Sequence, residues 1–118
     1  MTGPTPEVTP ETLPPAWGGR LEPSGLHLAP CPGQETASLD LPRLRCGRTL
    51  LALRLRRRAG RVVLQVAKRF GPDLELTLTW GGPEQVDAVL VDEHPLGTLV
   101  ARLAARHEHE VQFLFRPR

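Results

Sequence analysis

The 118-residue sequence predicts an all-β protein, an antiparallel sandwich of about seven strands, on three observations. Apolar residues recur at every second position over short runs, which is the period of a half-buried strand. Turn-forming pieces separate the runs: "AG" at 59–60, "GPD" at 71–73, "WGGPE" at 80–84 and "HPLG" at 94–97. Helical spacing arises in only one place, near residues 98–107.

The chain divides into a leader and one domain. Residues 1–15, "MTGPTPEVTPETLPP", hold five prolines and little apolar material, so residues 1–16 are expected to form a flexible, extended leader. Residues 17–118 are expected to form a single sandwich domain. A chain of this length buries roughly two-thirds of its unfolded surface and needs neither metal nor disulfide to fold.

Each strand follows from its alternation. Leu26 and Leu28 share a face in "RLEPSGLHLAP", as do Leu39 and Leu41 in "ASLDLPRLRCG". In "TLLALRLRRR", Leu51, Leu53 and Leu55 oppose Ala52, Arg54, Arg56 and Arg58. In "RVVLQVAKRF", Val62, Leu64 and Val66 oppose Val63, Gln65 and Ala67. "LELTLTW" sets Leu74, Leu76, Leu78 and Trp80 against Glu75, Thr77 and Thr79. "QVDAVLVDE" and "EVQFLFRP" complete the set, the latter with Val111, Phe113 and Phe115 on one side. "TLVARLAARHE" fits two periods. Leu99, Val100, Leu103 and Ala104 suit a short helix, whereas Leu99, Ala101 and Leu103 against Arg102 and Arg106 suit a strand. The β surroundings favour the strand.

The net charge of +2 hides an asymmetry. From Arg43 to Arg69 there are ten basic residues and no acid, whereas the other positions hold five basic residues and all thirteen acids. Such a distribution creates a local field that attracts anions. Arginine is also abundant for a plainer reason, since GC-rich coding favours Arg, Ala, Gly and Pro together. The expected anion-binding residues are Arg54, Arg56, Arg57, Arg58 and Arg61, with Arg57 to Arg61 around the turn, and Lys68 and Arg69 at the far end of the next strand. Outward charges also blunt edge-to-edge aggregation, which explains them without any ligand. Phe70 is the sole aromatic near them, a poor endowment for stacking on single-stranded bases.

The segments "LPPAWGGRLEPSGLHL" and "LRCGRTLLALRLRRRAGRVVLQVAKRFGPDLELTL" are similar to the C-terminal β-sandwich of (α/α)6-barrel glycosidases and phosphorylases, of the amylo-α-1,6-glucosidase and maltose-phosphorylase types. The resemblance covers roughly residues 13–80 and rests on turn glycines and alternating leucines. It implies an accessory module without catalytic residues that packs on another protein, a carbohydrate-active enzyme, with some sugar contact. The barrel and its catalytic acids have no counterpart here. Trp17 and Trp80 are the candidate sugar-stacking residues, against the alternative that Trp80 caps the core and Trp17 anchors the leader.

Other chemistry finds little support. His107, Glu108, His109 and Glu110, with Asp92, Glu93 and His94, contain metal-ligand types, but nothing in the spacing closes a site, and a polar strand entrance explains them. No glycine-rich stretch has the lysine and spacing of a phosphate loop. Cys31 and Cys46 lack a neighbour that would activate a thiolate. Two lone thiols, the absence of a signal-like start and of any apolar run near ~20 residues suggest a soluble, cytoplasmic protein. A non-enzymatic module without cofactor, docking on another protein, is the expected function. Nucleic-acid or polyanion binding through hairpin 54–61 is the alternative.

Overall fold

The computed structural model describes residues 7–33 and 35–117. It is an all-β sandwich of two packed sheets. Among the described residues ten strands follow in order: β1 (Arg20–Glu22), β2 (Gly25–Leu28), β3 (Ser38–Cys46), β4 (Thr49–Arg58), β5 (Arg61–Phe70), β6 (Leu74–Leu78), β7 (Val86–Val91), β8 (His94–Pro95), β9 (Ala101–Ala105) and β10 (Glu108–Phe115). The four-stranded sheet runs β1-β2-β6-β9 and the six-stranded sheet β3-β4-β5-β10-β7-β8. The count exceeds seven chiefly because β1 and β8 are only three and two residues long.

Among the ten strands of the described residues the pairing is antiparallel with one exception. β2 runs parallel to β6, with Leu26, His27 and Leu28 beside Leu76, Thr77 and Leu78. Gly25 makes this close approach feasible. Its φ of +135° suits glycine, and a Cβ there would collide with the Glu75 carbonyl oxygen. The ambiguous segment near 98–107 is strand, since Ala101–Ala105 completes the small sheet by pairing with Leu74–Leu78.

The alternation places the core as expected. Leu26, Leu28, Leu76, Leu78 and Ala101 from the small sheet face Leu53, Leu55, Val62, Leu64, Val66, Val89, Val111 and Phe113 from the large one, all essentially removed from water. Trp17 is also fully buried in this cluster.

Residues 7–16 differ from the expected leader. Val8 donates to the Arg43 carbonyl at 2.8 Å, accepts from the Arg45 amide at 2.8 Å, and so covers part of the β3 edge. Glu7 holds Arg43 and Arg45 at 3.0 and 2.8 Å, and Leu13 packs on the core. Proline permits this docking because an edge segment needs only some of its backbone donors. Residues 1–6 of the expected leader lie outside the described residues.

Candidate functional site

The β4–β5 hairpin carries most of the candidate residues. Its two-residue connection, Ala59-Gly60, joins the pair Arg58 and Arg61, and Gly60 takes the left-handed conformation at φ +73°. Strict register then sorts the cations by parity. Arg54 lies opposite Gln65 and Arg56 opposite Val63, on the outer face of the large sheet. Arg57 lies opposite the buried Val62, and Lys68 opposite the buried Leu51, so both belong to the inner face.

Arg57 therefore does not belong to a surface turn. Its guanidinium meets Glu84 Oε2 at 2.6 Å and donates to the carbonyls of Thr36 and Pro32, each at 3.3 Å. It also lies 5.8 Å from the Trp80 ring centre. Both side chains of the ion pair are mostly buried, at 18% and 16% exposure. Burial pushes the Glu84 carboxyl up, but the Arg57 hydrogen bond and backbone and indole contributions outweigh it and leave it below 4.5. Lys68 makes a comparable inward contact with Asp73 at 2.6 Å, and Lys68 holds that carboxyl low.

The acid-free stretch is not acid-free in space. Glu7 answers Arg43 and Arg45, Glu84 answers Arg57, and Asp73 answers Lys68. Asp40, from β3, answers two arginines: Arg56 at 2.7 Å, which holds its carboxyl low, and Arg54 at 3.8 Å. Among the described residues, Arg58, Arg61, Arg48 and Arg69 have no carboxylate partner. Arg61 donates instead to Gln112 at 3.1 Å. Arg58 and Arg61 flank one end of the hairpin and Arg48 and Arg69 approach the other, about 30 Å apart for strands of this length. The seven residues expected to bind an anion are thus not one patch.

Neither tryptophan offers a free platform. Trp17 is 2% exposed, so no ring face can meet a sugar. Trp80 is half-buried, with Phe113 and Phe115 at 5.9 and 5.1 Å and Arg57 nearby. Trp80 Nε1 and Glu84 Oε1 flank Gly82, where a Cβ would meet them at 2.8 and 2.9 Å.

A groove of about 540 Å³ opens on the outer face of the large sheet. Ala52, Gln65 and Ala67 line it; Arg54 and Asp40 stand on the β4 and β3 side, Glu108, Glu110 and Asp92 on the β10 side, and Arg69 on β5 itself. The register explains the division, since Arg54, Gln65 and Glu110 occupy one cross-strand row and Ala52, Ala67 and Glu108 the next. Sequence reading missed this groove, although the small residues Ala52 and Ala67 at outward positions were its visible sign.

The acidic wall is braced by a strained turn. Asp92 and Glu93 connect β7 to β8 with φ of +50° and +69°, a conformation that usually calls for Asn-Gly. Asp92 is held there by His109 Nδ1 at 2.9 Å and by the Glu110 amide, which donates to its Oδ1 at 2.9 Å. The His109 contact, then the Glu110 amide, lower the Asp92 carboxyl. Among the described residues no three His, Cys, Asp or Glu side chains gather as metal ligands.

The remaining reactive groups do not form a relay. Ser24 Oγ at 3.3 Å and Glu22 Oε2 at 3.2 Å both meet His27 at the same nitrogen, Nε2. A triad needs the acid on the other ring nitrogen. Cys31 is exposed and Cys46 buried, both as free thiols, and burial pushes the Cys46 thiol up to about 11, with a smaller contribution from the Glu11 charge. Among the described residues no helix is long and apolar enough to cross a membrane. No family model, curated protein or solved structure matches the chain.

Proposed function

We propose that this chain is a non-enzymatic interaction module that docks on another protein through the outer face of its six-stranded sheet. The groove, lined by Arg54 and Arg69 together with Asp40, Asp92, Glu108 and Glu110, carries the reading. Most hydrophobic side chains of the sheet are spent on the core, so what the outer face offers is shape and charge, the ingredients of a selective and salt-sensitive contact. Four carboxylates against two arginines oppose a polyanion, whereas a polypeptide can offer cations to them.

The resemblance of residues 13–80 to sandwich domains that accompany catalytic barrels supports an accessory role, and a carbohydrate-active enzyme is the partner it suggests. The shared Nε2 contacts at His27 and the raised Cys46 thiol support the non-enzymatic part. Free thiols support a reducing, cytoplasmic setting.

Photo-cross-linking tests the docking face. A benzoylphenylalanine at Gln65, on the groove floor, should yield a discrete protein adduct in cells that make the chain. The same residue at Arg102, outward on β9 in the other sheet, should not. No adduct from Gln65, equal adducts from both sites, or an adduct to nucleic acid alone would overturn the reading.

A further inference from the structure

We propose that Phe70, with Arg48 and Arg69, anchors the partner by taking an aromatic side chain flanked by carboxylates. This rests on the docking reading above and names the chemistry that the partner brings to one end of that face.

The ring reaches the surface because of a bulge. Leu51 pairs with Lys68 and Leu50 with Phe70, so β5 spends one extra residue, Arg69, against the same length of β4. Lys68 belongs to the inner face, and unbroken alternation would send Phe70 inward with it. The bulge turns Phe70 outward instead. From the other side Arg45 pairs with Leu50, and its guanidinium lies 4.9 Å from the centre of the Phe70 ring. Leu50, between them, is only 2% exposed although it stands apart from the main core. Ring and guanidinium therefore roof a small apolar patch on the outer face. Of the three large hydrophobic side chains left exposed among the described residues, Phe70 is the aromatic one, at 47%. Its neighbour Arg69 lines the groove, so platform and groove are continuous.

The platform is held from both ends. Glu7 fixes Arg45 at 2.8 Å. Gly71, at φ +101°, packs so closely on the Arg48 carbonyl that a Cβ would collide with it, and the Thr49 hydroxyl donates to the Pro72 carbonyl at 2.7 Å. These contacts lock the β3–β4 and β5–β6 turns together, with Arg48 on the first and Phe70 leading into the second.

Charge selects the occupant. Glu7 is engaged by Arg43 and Arg45, and Asp73, on the β5–β6 turn, by Lys68 and Arg106. Arg48 and Arg69 are both exposed and have no carboxylate partner among the described residues. An incoming ring packs on Phe70 and meets the two free guanidinium groups, while carboxylates beside it neutralise them. Aromatic and arginine side chains are also the types that dominate binding energy in protein interfaces. A nucleic-acid strand fits less well. One ring stacks a single base, and a strand continuing along the face meets Glu108, Glu110 and Asp92.

The test uses the full chain, 15N-labelled, at low salt, titrated with capped Glu-Trp-Glu, Lys-Trp-Lys and Glu-Ala-Glu peptides and with tetrathymidylate. Glu-Trp-Glu should shift the amides of Arg48, Arg69, Phe70 and Gly71 saturably. Loss of its carboxylates or of its ring, in the other two peptides, should each weaken binding roughly fivefold. Phe70→Leu keeps Leu50 covered and should weaken Glu-Trp-Glu by a similar factor. Arg48→Glu combined with Arg69→Glu should abolish its binding, and an unchanged spectrum elsewhere shows that each variant folds. No saturable shifts at these amides, equal binding of either control peptide, tighter binding of tetrathymidylate, or wild-type binding by Phe70→Leu would overturn the proposal. A protein adduct at Gln65 alongside such a failure would leave the docking reading standing and remove only this anchor. Saturable binding of Glu-Trp-Glu without an adduct at Gln65 would remove the docking reading and keep the anchor.

Discussion

Arg57 and Arg54 lie three residues apart on one strand and do opposite things. Arg57 points between the sheets, where Glu84, two carbonyls and the Trp80 ring surround its guanidinium. Arg54 points outward, 61% exposed, at the rim of a groove and only loosely held by Asp40. The difference comes from strand parity alone, since residue type and neighbourhood in sequence are shared. A dense run of arginines is therefore two populations. The inward members close the end of the core, and the outward members lie on the outer face of the large sheet.

The largest expected effect follows from removing an inward member. Arg57→Ala leaves Glu84 mostly buried without its cation and should lower unfolding free energy by about 2–3 kcal/mol in urea denaturation, below the full range for deeply buried pairs because water still reaches this one. Glu84→Ala should cost a similar amount, and the double variant less than the sum. The same pair gives an acid limit. Because the folded Glu84 carboxyl sits below 4.5, its contribution is complete above that pH and fades as pH falls through the lowered value. Wild type should lose stability over that acidic window. In Arg57→Ala much of this loss should vanish, which thermal melts across the pH range would reveal.

A smaller effect is expected at the acidic wall. Glu93 has a left-handed backbone without the side-chain bonds that hold Asp92, so Glu93→Gly should stabilise the fold by about 0.5–1 kcal/mol. A destabilising outcome would mean that the Glu93 side chain contributes more than its backbone costs. The smallest effect is expected at the hairpin end. Arg58→Ala should change unfolding free energy by less than about 0.5 kcal/mol, because Arg58 has no carboxylate partner among the described residues. A loss comparable with that of Arg57→Ala would erase the distinction between the two populations.

Much of the fold was legible because strand burial has a strict period. Leu51, Leu53, Leu55, Val62, Leu64, Val66, Leu76, Leu78, Val111 and Phe113 all lie in the core where alternation puts them. Arg57 escaped because its segment reads as a turn, whereas β4 continues to Arg58 and carries the alternation with it. Lys68 shares the parity of Val62, Leu64 and Val66, yet its charge suggests the outer face. The parallel pairing of β2 with β6 was illegible, since it joins strands some fifty residues apart and leaves no local signature.

The carboxylates escaped for the same reason. Asp40, Glu84 and Asp73 reach the basic hairpin from β3 and from loops before and after β6, so a charge gap along the chain is filled across the fold. The groove combines both problems. Its small floor residues were visible as outward alanines, but its opposing walls exist only because β10 pairs with β5.

The assignment of the outer groove as the docking site is tested most directly by the Gln65 cross-link measured in two backgrounds, Arg54→Glu and Arg58→Glu. Both variants should melt near the wild-type temperature. The adduct should disappear with Arg54→Glu, which reverses a charge at the groove's rim, and persist with Arg58→Glu, which lies beyond it. An adduct that survives Arg54→Glu, or that is lost equally in both, would contradict the assignment of the outer groove as the docking site.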